Sequence, residues 1–332
     1  MRPPHRHPDE ASAPRRAVPA RAAGRGSGRV AGGATGRATG WRMAALCPLL
    51  VLLVPFLAGV GLTAAQSLGW LLPIQYLPEQ GGQGLYAPDV LTGWRQLAQP
   101  HMAGSLLLGV RVAGVSALLS VAGGALLAYG VWRLPARMQL SALVFRVPLV
   151  LPHIVVAFLA IVFWSRSGLV SAALHQAGII SDQAQFPALL WGGDGMGMVL
   201  AYTYKELPFV MLLAVASLRR LDPRLIETAR MLGAGRWAVL RDVVVPHLAP
   251  VLHASFLILF LYAFGAVEIP LLLGESTPAM PGVAAYDLYF LRSLEDRPVA
   301  AALLTLMLLC CAGFVAAYVR LVAGLRGRER QL

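Results

Sequence analysis

The sequence predicts an all-α, polytopic membrane protein with six membrane-spanning helices. Three observations carry that prediction. The chain of 332 residues is 57% apolar and only 13% charged, with a mean hydropathy of +0.65, too little polar surface to cover a water-soluble globule. Six apolar runs approach the roughly 20 residues needed to cross about 30 Å of hydrocarbon. Arginines gather in alternate connecting segments. A net charge of +12 would suit a nucleic-acid partner, but the arginines punctuate apolar runs instead of lining a face with stacking groups, so lipid is the expected partner and nucleic acid is not.

Residues 1–42 are rich in Arg, Ala, Gly and Pro and have no apolar periodicity, which predicts a disordered basic tail in the cytoplasm. The tail is read as a solvated extension, with anionic lipid or a partner as the functional alternative. The first span is Met43–Ala65, whose 23 uncharged residues exceed a signal-peptide core. Residues 66–105, with Pro73, Pro78, Pro88 and the Gly81-Gly82-Gln83-Gly84 run, form a long periplasmic loop. Val112–Trp132 is the second span. In it Ser116, Ser120, Gly124 and Ala128, four residues apart, make a small-residue stripe suited to close helix contact or to internal packing. Val147–Trp164 is the third span, with Pro148 and Pro152 near its cytoplasmic end; Met196–Leu218 is the fourth, interrupted by Lys205, Glu206 and Pro208. Leu248–Val267 and Val299–Val319 complete the set, and a short tail, 325–332, ends the chain.

Charge then orients the spans, because short loops rich in Lys and Arg stay in the cytoplasm. With the N-terminus inside, the segments 1–42, 133–146, 219–242 and 320–332 hold 22 arginines, and the outside segments hold four: Arg95, Arg166, Arg292 and Arg297. Eight acidic residues, among them Asp182, Asp194, Glu295 and Asp296, lie outside. Both termini are therefore expected in the cytoplasm.

The loop between spans four and five, 219–246, reads as two short helices. Asp222 is an N-cap with Pro223 at the first helical position; Leu225, Ala229 and Leu232 recur at helical spacing until Gly233-Ala234-Gly235 stops the helix. The second helix places Trp237, Leu240 and Val244 on one face, and Pro246 opens the fifth span. The pair would project from the bilayer with a face free for a partner. Glu227, alone, would be an ordinary surface residue paired with Arg224 or Arg230.

The spacing Glu227-Thr228-Ala229, Gly233 and, after nine residues, Val243-Val244-Val245-Pro246 resembles the coupling signature of ABC importer permeases, with Thr for one Ala and Val for Ile and Leu. Leu149-Val150-Leu151-Pro152, Lys205-Glu206-Leu207-Pro208-Phe209 and Phe264-Gly265-Ala266-Val267-Glu268-Ile269-Pro270 look like the spermidine/putrescine branch, which also holds ferric-iron, thiamine and sulfate systems. The resemblance runs from about Ser105 to Val319 and leaves residues 1–42 without a counterpart. It implies the type I importer permease fold for a core over 106–324 and an inner-membrane location. It also implies a coupling helix near 223–236 that docks on an ATPase subunit, with Glu227, Thr228, Ala229, Gly233 and Pro246 carrying the site. The further partners it implies are a second permease, expected to be a paralogue because of the long first periplasmic loop, and a periplasmic substrate-binding protein.

No Gly-x-x-x-x-Gly-Lys-Ser/Thr occurs, and the only lysine, Lys205, lies between Tyr204 and Glu206, so the chain is expected to be no enzyme and to need no cofactor. No metal site is expected, and Cys47, Cys310 and Cys311, all in apolar runs, suggest no disulfide. Carboxylates at membrane depth are costly, which makes Glu206 and Glu268 the substrate-path candidates and a cationic, polyamine-type solute the leading guess. His153 and His253 read as satisfied core histidines. Two rivals remain: a proton-coupled secondary transporter using Glu206 and Glu268 as a relay, and an intramembrane serine protease built on Ser116 with either histidine.

Overall fold

The computed structural model describes residues 34–69, 91–135 and 147–329. Most of the expected tail 1–42, residues 70–90 of the first loop, 136–146 and the last three residues of the C-terminal tail lie outside the described residues. All regular structure among the described residues is helical, and six helical segments are long and apolar enough to cross a membrane.

Helix α1, Ala34–Ser67, starts ahead of Met43 and contains Pro48 and Pro55. No residue in its most apolar window is buried. The remaining spans form a separate compact unit from Leu57 onward.

A short helix α2, Thr92–Leu97, precedes α3, Pro100–Arg133. The second span thus begins earlier than the apolar run alone suggests, because Pro100 sits in the first turn, where its missing N–H costs nothing, and no breaker follows before Leu134. The third span is not continuous. It comprises α4 (Val147–Val150), an interruption at Leu151-Pro152, α5 (His153–Trp164) and, after Ser165, α6 (Leu169–Gln176). Pro152 explains the break: it has no N–H to donate back to Pro148, and it pushes Leu151 out of the helical region.

Helix α7, Met196–Leu218, has the bounds its sequence suggests and keeps Lys205, Glu206 and Pro208 buried. The loop 219–246 folds as α8 (Pro223–Met231) and α9 (Arg236–Val239). A five-residue π-helical turn, Leu240–Val244, joins α9 directly to α10, Val245–Gly265. Beyond it lie α11 (Glu268–Leu273), α12 (Pro281–Tyr286) and α13 (Arg297–Glu329).

Helices α3, α7 and α10 form the centre. A Cβ at Gly124 would sit 2.6 Å from Val210 Cβ and 2.9 Å from the Leu207 carbonyl, so only glycine lets α3 and α7 approach this closely. Ser116, Ser120, Gly124 and Ala128 all lie buried along α3, as a packing stripe requires. Val112 of α3 meets Gly195 just ahead of α7, so these two helices run parallel; Gly109 and Gly114 of α3 face Phe264 and Phe260, so α10 runs against them. Phe256 and Phe260 of α10 stack with Phe314 and Tyr318 of α13, the Phe260–Phe314 centroids being 4.0 Å apart.

A second apolar cluster lies where α3 and α7 end and α10 begins. Ala128, Val131, Met211, Ala214 and Leu218 meet Leu221, Val239, Val244 and Leu248, so the loop is packed against the spans that flank it. Fully burying a valine or leucine of this kind is worth about 1.5–3 kcal/mol, enough to hold a short polar-faced helix pair in one orientation.

Candidate functional site

The loop site begins at Asp222, whose Oδ1 accepts a hydrogen bond from the Arg224 N–H at 3.0 Å while Pro223 opens α8. The helix ends by a left-handed residue, Gly233, at φ +86°, with the Gly233 N–H donating to the Arg230 carbonyl and the Ala234 N–H to that of Ala229. These bonds satisfy carbonyls the helix end would otherwise leave bare, and only glycine adopts this turn without strain. Ile226, Ala229 and Ala234 face this second apolar cluster. Glu227, Thr228 and Pro246 are exposed, and among the described residues neither Arg224 nor Arg230 forms an ion pair with Glu227. Glu227 and Arg230 instead line a cavity of about 490 Å³ with Trp132, Leu218, Pro223 and Ile226.

The tip carries large apolar side chains in water: Met231 is 87% exposed, Leu232 83% and Trp237 72%. Helical spacing puts Trp237 and Val244 on one face, yet Val244 is buried and Trp237 is not. The π-helical turn accounts for this: it inserts an i→i+5 step, in which the Val245 N–H donates to the Leu240 carbonyl, and so rotates the register between the two residues.

At membrane depth the two path candidates part company. Glu206 is buried between α7 and α3, where Ser120 Oγ donates to its Oε2 at 3.4 Å and its Oε1 has no partner. Glu268 is the first residue of α11, and its side chain is 61% exposed. Its Oε2 lies 3.4 Å from Nδ1 of His153, the first residue of α5, whose ring in turn lies 5.1 Å from that of Tyr262. His153, which the sequence alone presents as a core histidine, therefore pairs with Glu268 at a partly exposed site. His253 pairs instead with the Tyr318 hydroxyl at 2.6 Å.

Lys205 turns away from its neighbour Glu206. Its Nζ donates to the carbonyls of Pro148 at 2.9 Å and Leu149 at 3.2 Å, and also to that of Leu151. The protease arrangement is not formed, since Ser116 is fully buried and its Oγ donates to the Ala113 carbonyl. Cys310 is exposed and Cys311 partly buried, both as free thiols.

Residues 120–327 match the family model described as the binding-protein-dependent transport system inner membrane component. A probable ABC transporter permease protein of Sinorhizobium fredii, y4fN, is 33% identical over 179 residues, which is 53% of this chain and 29% of that relative. The chain thus spans less than a third of that relative's length. The sulfate transport system permease protein CysT of Escherichia coli is 25% identical over 72% of this chain and 81% of its own. Among solved structures, a bacterial ABC transporter involved in the import of the acidic polysaccharide alginate has a chain that superposes with a TM-score of 0.66 at 19% identity, over 86% of this chain and 98% of its own.

Proposed function

The chain belongs to the binding-protein-dependent transport system inner membrane component family, and from that premise we propose that it is the permease subunit of an ATP-driven importer. In this reading it lies in the bacterial inner membrane with both termini in the cytoplasm, beside a second, paralogous permease. A periplasmic binding protein delivers a small solute, and two ATPase subunits supply the energy.

The observation that carries the reading is the loop 219–246. It is rigidly seated by the buried Leu221, Val239 and Val244, yet it offers Met231, Leu232 and Trp237 to water, with Glu227 beside them. A stiff lever with an apolar tip suits docking to a partner that moves it. ATP-driven closure of the ATPases would draw two such loops together and rock the spans about their midplane contacts. Neither rival mechanism gives the loop a role, and the family match favours the ATP-driven reading over a proton-coupled secondary transporter.

For the solute we favour a small cation of polyamine type. The ammonium group of the only lysine is occupied by backbone carbonyls, whereas the Glu268 carboxylate is exposed beside a histidine that leans on the Tyr262 ring. A second reading, an oxyanion, is favoured by the named cargo of the sulfate permease relative.

The test is co-purification from detergent-solubilised membranes. An ATPase retained by the wild type and lost with Gly233→Val or Glu227→Arg supports the coupling role; wild-type uptake with either substitution would sink it.

A further inference from the structure

We propose that Lys205 is a tethered cation that completes the broken third span, a positioning residue for the site at which α5 and α11 meet. The argument begins with Pro152. In a continuous helix the Pro148 carbonyl would accept a hydrogen bond from residue 152, which has no N–H, and the non-helical Leu151 strands further carbonyls. In the absence of water, each bare carbonyl is expensive.

An ammonium group has three N–H donors, and Lys205 Nζ spends them on the carbonyls of Pro148, Leu149 and Leu151. Lys205 is itself buried, 7% exposed, on a helix that continues through it. The group also sits at the carbonyl end of α4, where the helix dipole favours positive charge. Broken transporter helices expose unwound carbonyls of this kind to monovalent cations; here a side chain supplies the cation. Two residues beyond the clasp the chain restarts as α5 with His153, which faces Glu268. Lys205 thus ties the residues just ahead of α5, and with them the position of His153, to α7.

The test is chemical rescue, read as the thermal midpoint of the detergent-purified full chain, a measurement independent of any ATPase. Lys205→Ala removes three carbons and the nitrogen, the outline of n-propylammonium, and is expected to lower the midpoint by about 5–10 °C. Millimolar n-propylammonium should restore at least half of that loss in Lys205→Ala and shift neither the wild type nor Lys205→Met, whose side chain fills the space. Tetramethylammonium, which has charge without donors, and n-propanol, which has shape without charge, should restore nothing. Equal rescue by these controls, or none by n-propylammonium, would overturn the proposal. If Lys205→Ala fails to accumulate, the double variant Pro152→Ala/Lys205→Ala decides. With the N–H returned at 152 the carbonyls need no ammonium, so the double variant should accumulate as well as Pro152→Ala alone; its loss would overturn the tethered-cation role.

Discussion

His153 Nδ1 stands 3.4 Å from Glu268 Oε2, and each residue is the first of its helix, α5 after the break at Pro152 and α11 just beyond the end of α10. Two helix N-termini therefore meet head to head through this pair of side chains. Glu268→Gln should slow uptake of a cationic solute about tenfold, the equivalent of 1.4 kcal/mol, whereas neutralising a carboxylate should not slow uptake of an oxyanion. Labelled spermidine and labelled sulfate, each tested in reconstituted vesicles with the cognate binding protein, distinguish the two. Wild-type uptake of sulfate and not of spermidine would assign the path to an anion.

Much of the fold is legible in the sequence, since a span announces itself by apolar length. Met196–Leu218 keeps its bounds despite Lys205, Glu206 and Pro208, because all three are buried and the helix continues through them. The break in the third span is only half legible. Pro152 is visible, but the lysine of another helix that takes up the freed carbonyls is not, because no local pattern reports that contact. The His153–Glu268 pair is invisible for the same reason: it joins two distant segments, and a histidine in an apolar run resembles any packed one. The π-helical turn at Leu240–Val244 changes register without changing composition, so helical spacing alone puts Trp237 on the buried face. In the loop 219–246, by contrast, Asp222, Pro223 and Gly233 act through backbone rules that hold locally, and the structure follows them.

Gly124 should tolerate no side chain. A Cβ there would lie 2.6 Å from Val210 Cβ and 2.9 Å from a backbone carbonyl, so α3 and α7 would have to separate. Gly124→Val is expected to cost at least the 1–3 kcal/mol typical of overpacking. Gly130→Val on the same helix, where nothing lies within 4 Å, is the matched control. Thermal midpoints of the two purified variants check this, and equal midpoints would show that the contact is soft.

Gly233 should discriminate by backbone conformation and not by size, because its φ is +86° while no atom lies within 4 Å of the position a Cβ would take. Gly233→Asn, which enters the left-handed region more readily, should retain the ATPase better than Gly233→Val, for which that region costs about 1–2 kcal/mol. Retention in pull-downs from matched membrane amounts is the measurement; equal retention would remove the turn from the docking argument.

The tip and the root of the loop should separate docking from stability. Met231, Leu232 and Trp237 are exposed, so Leu232→Ser or Trp237→Ser removes no buried contact and should leave the thermal midpoint of the chain unchanged. Each should nevertheless weaken capture of the ATPase severalfold, since a partner that covers the tip would bury these side chains, and interfaces concentrate their energy in such anchors. Val244 is buried in the second apolar cluster, so Val244→Ala should lower the midpoint while leaving the tip chemically intact. Capture and melting measured on the same preparations give a two-by-two result. If the tip substitutions lower the midpoint as much as Val244→Ala does, the exposed residues serve the chain's own packing and the docking surface must lie elsewhere. If they weaken capture alone, the loop acts as a lever, seated through Val244 and gripped through Trp237.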